Sequence, residues 1–193
     1  MAQLINEPSY DGTANPLAFA VTERDKGVLD MVRASIKRRD VLLAYQPVVE
    51  AQRTDHIAFY EGLIRILDET GRVIPARDFI DVVESQELGR QIDVLALECG
   101  CQALHDTPNL RLSINMSARS MGYPAWMAAL KKWIALDETV PERLILEITE
   151  SSAMTVPDLV TVFMADLHKY GIAFALDDFG AGFTSFRYLR DFY

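Results

Sequence analysis

An α/β fold with a parallel sheet is what this sequence predicts, and three observations predict it. Strand-like and helix-like segments alternate from Asp78 onward. The strand-like ones are near-continuous runs of Leu, Ile, Val and Ala, the composition of strands buried on both faces. Polar residues also recur in phase: Asn115 and Glu147 lie 32 positions apart, and Glu147 and Asp177 lie 30 apart, each the length of one strand-helix-strand step.

Taken in order, residues 1–21 read as a polar leader of disordered composition, punctuated by Pro8, Asp11, Gly12, Asn15 and Pro16. Residues 22–193 form the folded part. Val28, Met31, Val32 and Ile36 recur at helical spacing and run into Lys37, Arg38 and Arg39, cations suited to a helix C-terminus. Two β-rich runs, Val41 to Val49 and Ile57 to Ile66, are joined by a short polar stretch and predict an antiparallel hairpin. Helices are expected over Asp78 to Leu88 and Ile92 to His105, a strand over Leu110 to Met116, a helix over Pro124 to Leu136 and a strand over Leu144 to Thr149. A helix over Pro157 to Tyr170 begins on proline and is closed by Gly171, and Ile172 to Asp177 is a fifth strand.

The bulk numbers narrow the function. A chain of 193 residues, half of them apolar, can bury the core of one domain. The net charge of −9, with no Lys/Arg stripe interleaved with aromatics, excludes a duplex nucleic acid as partner. Cys99 and Cys101 are two apart, make no metal or redox pattern, and read as packing residues of a reducing compartment. No apolar run is long enough to cross a bilayer and Met1 to Leu17 is not a signal peptide, so the chain reads as cytoplasmic.

Asn115, Glu147 and Asp177 fall at the C-terminal ends of apolar strands, where parallel α/β folds carry their sites. Helix capping is the commoner role for any one such residue, but three in phase point to a shared task. Strand alternation puts Glu61, Leu63 and Arg65 on one face of their strand, so a carboxylate and a guanidinium point the same way. Carboxylate and amide oxygens are hard ligands, which favours Mg²⁺ or Mn²⁺ over zinc, and His56, His105 and His168 have no ligand spacing. The adjacent Asp177 and Asp178 repel unless cations share them, which makes a second ion reasonable. The run Asp178-Phe179-Gly180 also occurs in protein kinases, but the kinase catalytic loop and nucleotide loop are absent.

Five segments, Tyr45-Gln46-Pro47, Glu61-Gly62-Leu63-Ile64-Arg65, Ser113-Ile114-Asn115-Met116-Ser117, Leu146-Glu147-Ile148-Thr149-Glu150 and Asp177-Asp178-Phe179-Gly180, resemble in order and spacing the EAL-domain family of cyclic-di-GMP phosphodiesterases. The similarity runs from Lys26 to Tyr193. It implies a modified TIM (β/α)8 barrel with one antiparallel strand, hydrolysing one phosphodiester of cyclic di-GMP to linear pGpG with two Mg²⁺ or Mn²⁺ ions. By that resemblance Glu61, Asn115, Glu147 and Asp177 hold one metal, Asp177 and Asp178 hold the second, and Glu61, Asp177 and Asp178 form the catalytic set. Gln46, Leu63 and Arg65 would contact the substrate, Arg65 at a phosphate. Glu150 would steady the loop Asp178 to Ser185, through which a homodimer would couple to activity.

Two departures from the family are visible. Gly62 stands where the family has alanine; its side chain turns away from the metal face, so a minor effect is expected. The chain also reaches Tyr193 with five strands counted, fewer than a barrel needs to close, and without the family's downstream lysine, glutamates and glutamine. The sequence therefore leaves two functions open: a metal-dependent phosphodiesterase, or a non-catalytic cyclic-di-GMP receptor or interaction module built on the same domain.

Overall fold

The computed structural model describes residues 15–178 and Gly180. Its first element, α1 (Pro16–Arg38), starts six positions before the expected order at Thr22. The pair Asn15-Pro16, which reads as a turn in sequence, is a helix cap: the Asn15 side chain accepts from Leu17 N, and Pro16 takes the first helical position, where no amide is needed. Arg39 ends the helix in a left-handed conformation, φ 58°.

The hairpin forms as expected, from β1 (Val41–Glu50) and β2 (Arg53–Leu67), paired antiparallel. A short strand unmarked in sequence, β3 (Val73–Pro75), adds to the far end of β2, so the sheet has six strands among the described residues rather than five. At three residues it is too short to carry a period.

Next come α2 (Ile80–Val83) and α3 (Glu87–Asp106). The expected helix break near Gly89 falls instead at Ser85 and Gln86, and α3 runs through Gly89. A Cβ there would stand 2.7 Å from the Val83 carbonyl oxygen, so the glycine lets the first turn of α3 cross closely over α2.

The rest alternates: β4 (Leu112–Asn115), α4 (Pro124–Leu136), α5 (Val140–Arg143), β5 (Leu144–Thr149), α6 (Glu150–Thr155), α7 (Pro157–His168) and β6 (Ala173–Asp177). The strand order is β1-β2-β4-β5-β6, antiparallel only where β1 and β3 meet β2.

Alternation along the parallel strands divides the residues cleanly. Leu112 and Ile114, Leu144, Leu146 and Ile148, and Phe174 and Leu176 turn toward the helices and join the main core with Trp126, Leu130, Phe163 and Leu167. Trp126 and Phe163 meet at 5.7 Å between ring centroids, and Phe163 meets Phe174 at 6.2 Å. A second core, of Val32, Ile66, Ile74, Phe79 and Val83, seals α1 and α2 against β2 and β3. The opposite face of the parallel strands carries Ser113, Asn115, Glu147, Thr149 and Asp177, with the apolar Ile145, Ala173 and Ala175 between them.

Candidate functional site

The register sets these side chains on one stepped surface. Glu61 is level with Ser113, Asn115 with Glu147, and Thr149 with Asp177. Partners in register share a face, so Glu61, Asn115, Glu147 and Asp177 all project from the side of the sheet away from the helices. Each step up is two residues, roughly 7 Å of strand.

Contacts tie the steps together. Asn115 Nδ2 donates to Glu61 Oε1 at 2.8 Å. Glu147 is only 8% exposed. Burial pushes its carboxyl above the usual carboxylate range; a hydrogen bond from Ser113 opposes this, while the charges of Glu61 and Asp177 add to it. Asp177 Oδ1 accepts from Asp178 N at 2.9 Å, and Asp178 takes a left-handed backbone, φ 55°. Glu150, 4% exposed, accepts from Gly180 N through Oε2 at 2.7 Å. Of the segment Asp178 to Ser185, only Asp178 and Gly180 lie within the described residues.

The other predicted residues fall on the hairpin. Gln46 pairs with Glu61 and is exposed, while Leu63 and Arg65 follow Glu61 on the same face, paired with Ala44 and Leu42. Arg65 is half-buried, and its Nη1 donates to the Ile64 carbonyl at 2.8 Å. Beside this surface is a cavity of about 380 Å³ whose wall includes Leu63, Ile80, Asp93, Asn115, Ser117 and Asp178. The cavity thus takes in three of the sequence-predicted residues, Leu63, Asn115 and Asp178.

The chemistry of the donors fits a hard divalent cation: the ligating atoms on offer are carboxylate and amide oxygens, and the charges of Glu61 and Asp177 bear on the buried Glu147 carboxyl. The arrangement is not closed, since no three His, Cys, Asp or Glu side chains among the described residues are grouped to hold an ion. Asn115 presents its amide nitrogen to Glu61, and a half-turn of that carboxamide would present its oxygen instead.

Sequence reasoning passed over Asp93, and it quoted Ser113 and Ser117 within the segment around Asn115 without giving either a role. Asp93 did leave a signal, as an acid set among Ile92, Leu95, Ala96 and Leu97 on the apolar side of α3. Both cysteines behave as expected: burial pushes the Cys101 thiol up to about 12 and raises that of Cys99 as well.

A sequence model of the EAL domain matches residues 29–193. The chain belongs to the EAL domain family. Among its relatives is the cyclic di-GMP phosphodiesterase PdeB of Shewanella oneidensis, 30% identical over 167 residues, spanning 83% of this chain and 19% of that protein. Another is the bifunctional diguanylate cyclase/cyclic di-GMP phosphodiesterase MucR of Pseudomonas aeruginosa, 28% identical over 168 residues, 84% of this chain and 24% of that one. The chain thus spans about a fifth to a quarter of the length of these relatives. The solved c-di-GMP complex of the PaMucR phosphodiesterase superposes with a TM-score of 0.74 at 27% identity, covering 86% of this chain and 69% of that one. The six-stranded mixed sheet is that of EAL domain structures, the TIM-barrel-like architecture expected with its antiparallel first strand. No helix among the described residues is long and apolar enough to cross a membrane.

Proposed function

We propose that this EAL domain belongs to a cyclic-di-GMP phosphodiesterase, hydrolysing one phosphodiester bond to give linear pGpG with Mg²⁺ or Mn²⁺, in the cytoplasm. The observation that carries the reading is the single stepped face bearing Glu61, Asn115, Glu147 and Asp177 beside the cavity at Asn115 and Asp178.

In this reading Glu61, Asn115, Glu147 and Asp177 hold one ion, and Asp177 and Asp178 hold a second. Such ions supply charge neutralisation at phosphorus and acidify water. Glu61, Asp177 and Asp178 form the catalytic set, and their combined negative field draws the cations in. Arg65 stands four residues beyond Glu61 along β2, roughly 13 Å, and offers the guanidinium that anchors a phosphate away from the reacting one. Gln46 and Leu63 border the substrate, and Glu150 fixes the chain after Asp178. A second copy of the chain would couple to the site through the segment Asp178 to Ser185.

The experiment is chromatographic detection of pGpG after incubation with cyclic di-GMP and Mn²⁺. Product from the wild type and none from Glu61→Ala supports the assignment; equal turnover by both overturns it. A receptor without turnover is the second reading, favoured by the open grouping of the carboxylates. Calorimetry in EDTA separates the two, since binding that needs no metal and gives no product selects the receptor.

A further inference from the structure

Asp93 lies on α3, on a different element from every residue of the stepped face, and is 8% exposed. A carboxylate in such surroundings is costly unless its oxygens are hydrogen-bonded. Both of its bonds land on one oxygen: Oδ2 accepts from Ser117 N at 3.0 Å and from Ser120 Oγ at 2.6 Å. These donors sit on the chain leaving β4, immediately after Asn115.

Two successive amides are anchored there in different ways. Met116 N donates to the Glu147 carbonyl at 2.9 Å, the last bond to the sheet. Ser117 N, next along, has left the ladder and donates to Asp93. Ser117 Oγ then accepts from Arg119 N at 3.2 Å and caps the single 3-10 turn Ala118–Ser120, whose end Asp93 holds through Ser120. The chain after Asn115 is thereby clamped between β5 and α3, and the cavity wall is built from the same residues, Asp93, Asn115 and Ser117.

We infer that Asp93 is a positioning residue, which fixes the exit of β4 through Ser117 and Ser120 and so holds the Asn115 carboxamide at Glu61. Its importance for phosphodiester hydrolysis rests on the function proposed above. The clamp itself is a claim about Asn115 and stands or falls separately. Because a single oxygen accepts both bonds, asparagine at position 93 can reproduce the clamp without the charge, whereas alanine cannot.

The test follows the side-chain amide of Asn115 by NMR, assigned by the loss of its signals in Asn115→Asp. In Asp93→Ala these protons are expected to exchange with water roughly tenfold faster, the scale of a lost hydrogen bond to a charged group. Asp93→Asn should restore the wild-type exchange and shifts. Ser120→Ala, which removes only one of the two donors, should give a smaller increase and covers the case in which Asp93→Ala does not fold. An Asn115 signal unchanged in Asp93→Ala or, should that variant not fold, in Ser120→Ala overturns the inference. So does failure of Asp93→Asn to restore it. The same samples are titrated with Mn²⁺ and cyclic di-GMP. Absence of binding by the wild type sinks the functional reading, while the Asn115 exchange still decides the role of Asp93.

Discussion

The Asn115 carboxamide donates to the Glu61 carboxylate at 2.8 Å, joining two neighbouring parallel strands on the face that carries the acids. A neutral side chain thereby shields one carboxylate of a set whose charges repel.

Asn115→Ala removes that donor and leaves Glu61 facing Glu147 with one partner fewer. A hydrogen bond to a charged group contributes about 1.5–3 kcal/mol, and a loss of that order is expected in urea denaturation at neutral pH. Glu61→Ala combined with Asn115→Ala closes a double-mutant cycle. A coupling energy near zero would show that the two side chains do not interact in solution.

Gly62, the family's alanine position, matters more than its outward direction suggested. A Cβ on Gly62 would lie 2.9 Å from Ile114 Cδ1 and 3.1 Å from the Ser113 carbonyl oxygen. One on Gly100 would lie 2.6 Å from the same Cδ1. Ile114 occupies the room that both glycines leave. Gly62→Ala is therefore expected to overpack, at about 1–3 kcal/mol. Ile114→Val deletes the clashing carbon, so the double variant should be more stable than the two single effects summed. Strict additivity in denaturation curves would argue that Ile114 is not the obstacle.

How much of this was legible in sequence depended on length and phase. The hairpin, the parallel strands and the shared face of Asn115, Glu147 and Asp177 were readable because alternation and spacing repeat over many residues. The strand Val73–Pro75, too short for a period, was not, and neither was the run of α3 through Gly89, which depends on the approach of Val83. Asn15-Pro16 carries the same residues in a turn as in a cap, and only the following turn of helix distinguishes them. Asp93 was missed because its partners, Ser117 and Ser120, are far away in sequence and a helical acid is ordinarily a solvated one.

Asp93 also gives stability a pH dependence. Burial raises its carboxyl from 3.8 to about 6; the bonds from Ser120 and Ser117 oppose that shift, and the charge of Glu84 adds to it. The folded state therefore holds the proton more tightly than the unfolded one. The contribution to stability is full below 3.8 and is lost as pH rises through about 6. At 1.36 kcal/mol per unit this amounts to about 3 kcal/mol at neutral pH. Asp93→Asn, permanently neutral, should be more stable than wild type by up to about that much at neutral pH and match it at low pH. Urea midpoints across the range test this, and parallel curves for the two proteins would contradict it.

Glu150 and Gly180 connect the acidic strand end to the segment beyond it. The 2.7 Å bond from Gly180 N lands on a carboxylate that is 4% exposed, two residues past the left-handed Asp178, whose own amide is held by Asp177. Fixing Gly180 therefore fixes the direction in which the Asp177-Asp178 pair leaves β6. Glu150→Ala is expected to free the Gly180 amide, with hydrogen exchange at that residue faster by roughly ten- to a hundredfold, as suits a bond to a charged acceptor. Glu150→Gln retains an oxygen without the charge and should fall between the two. If exchange at Gly180 is the same in all three proteins, the bond does not hold this segment. If it quickens while the Asp178 amide stays protected, the hold on Gly180 is local and does not reach the acidic pair.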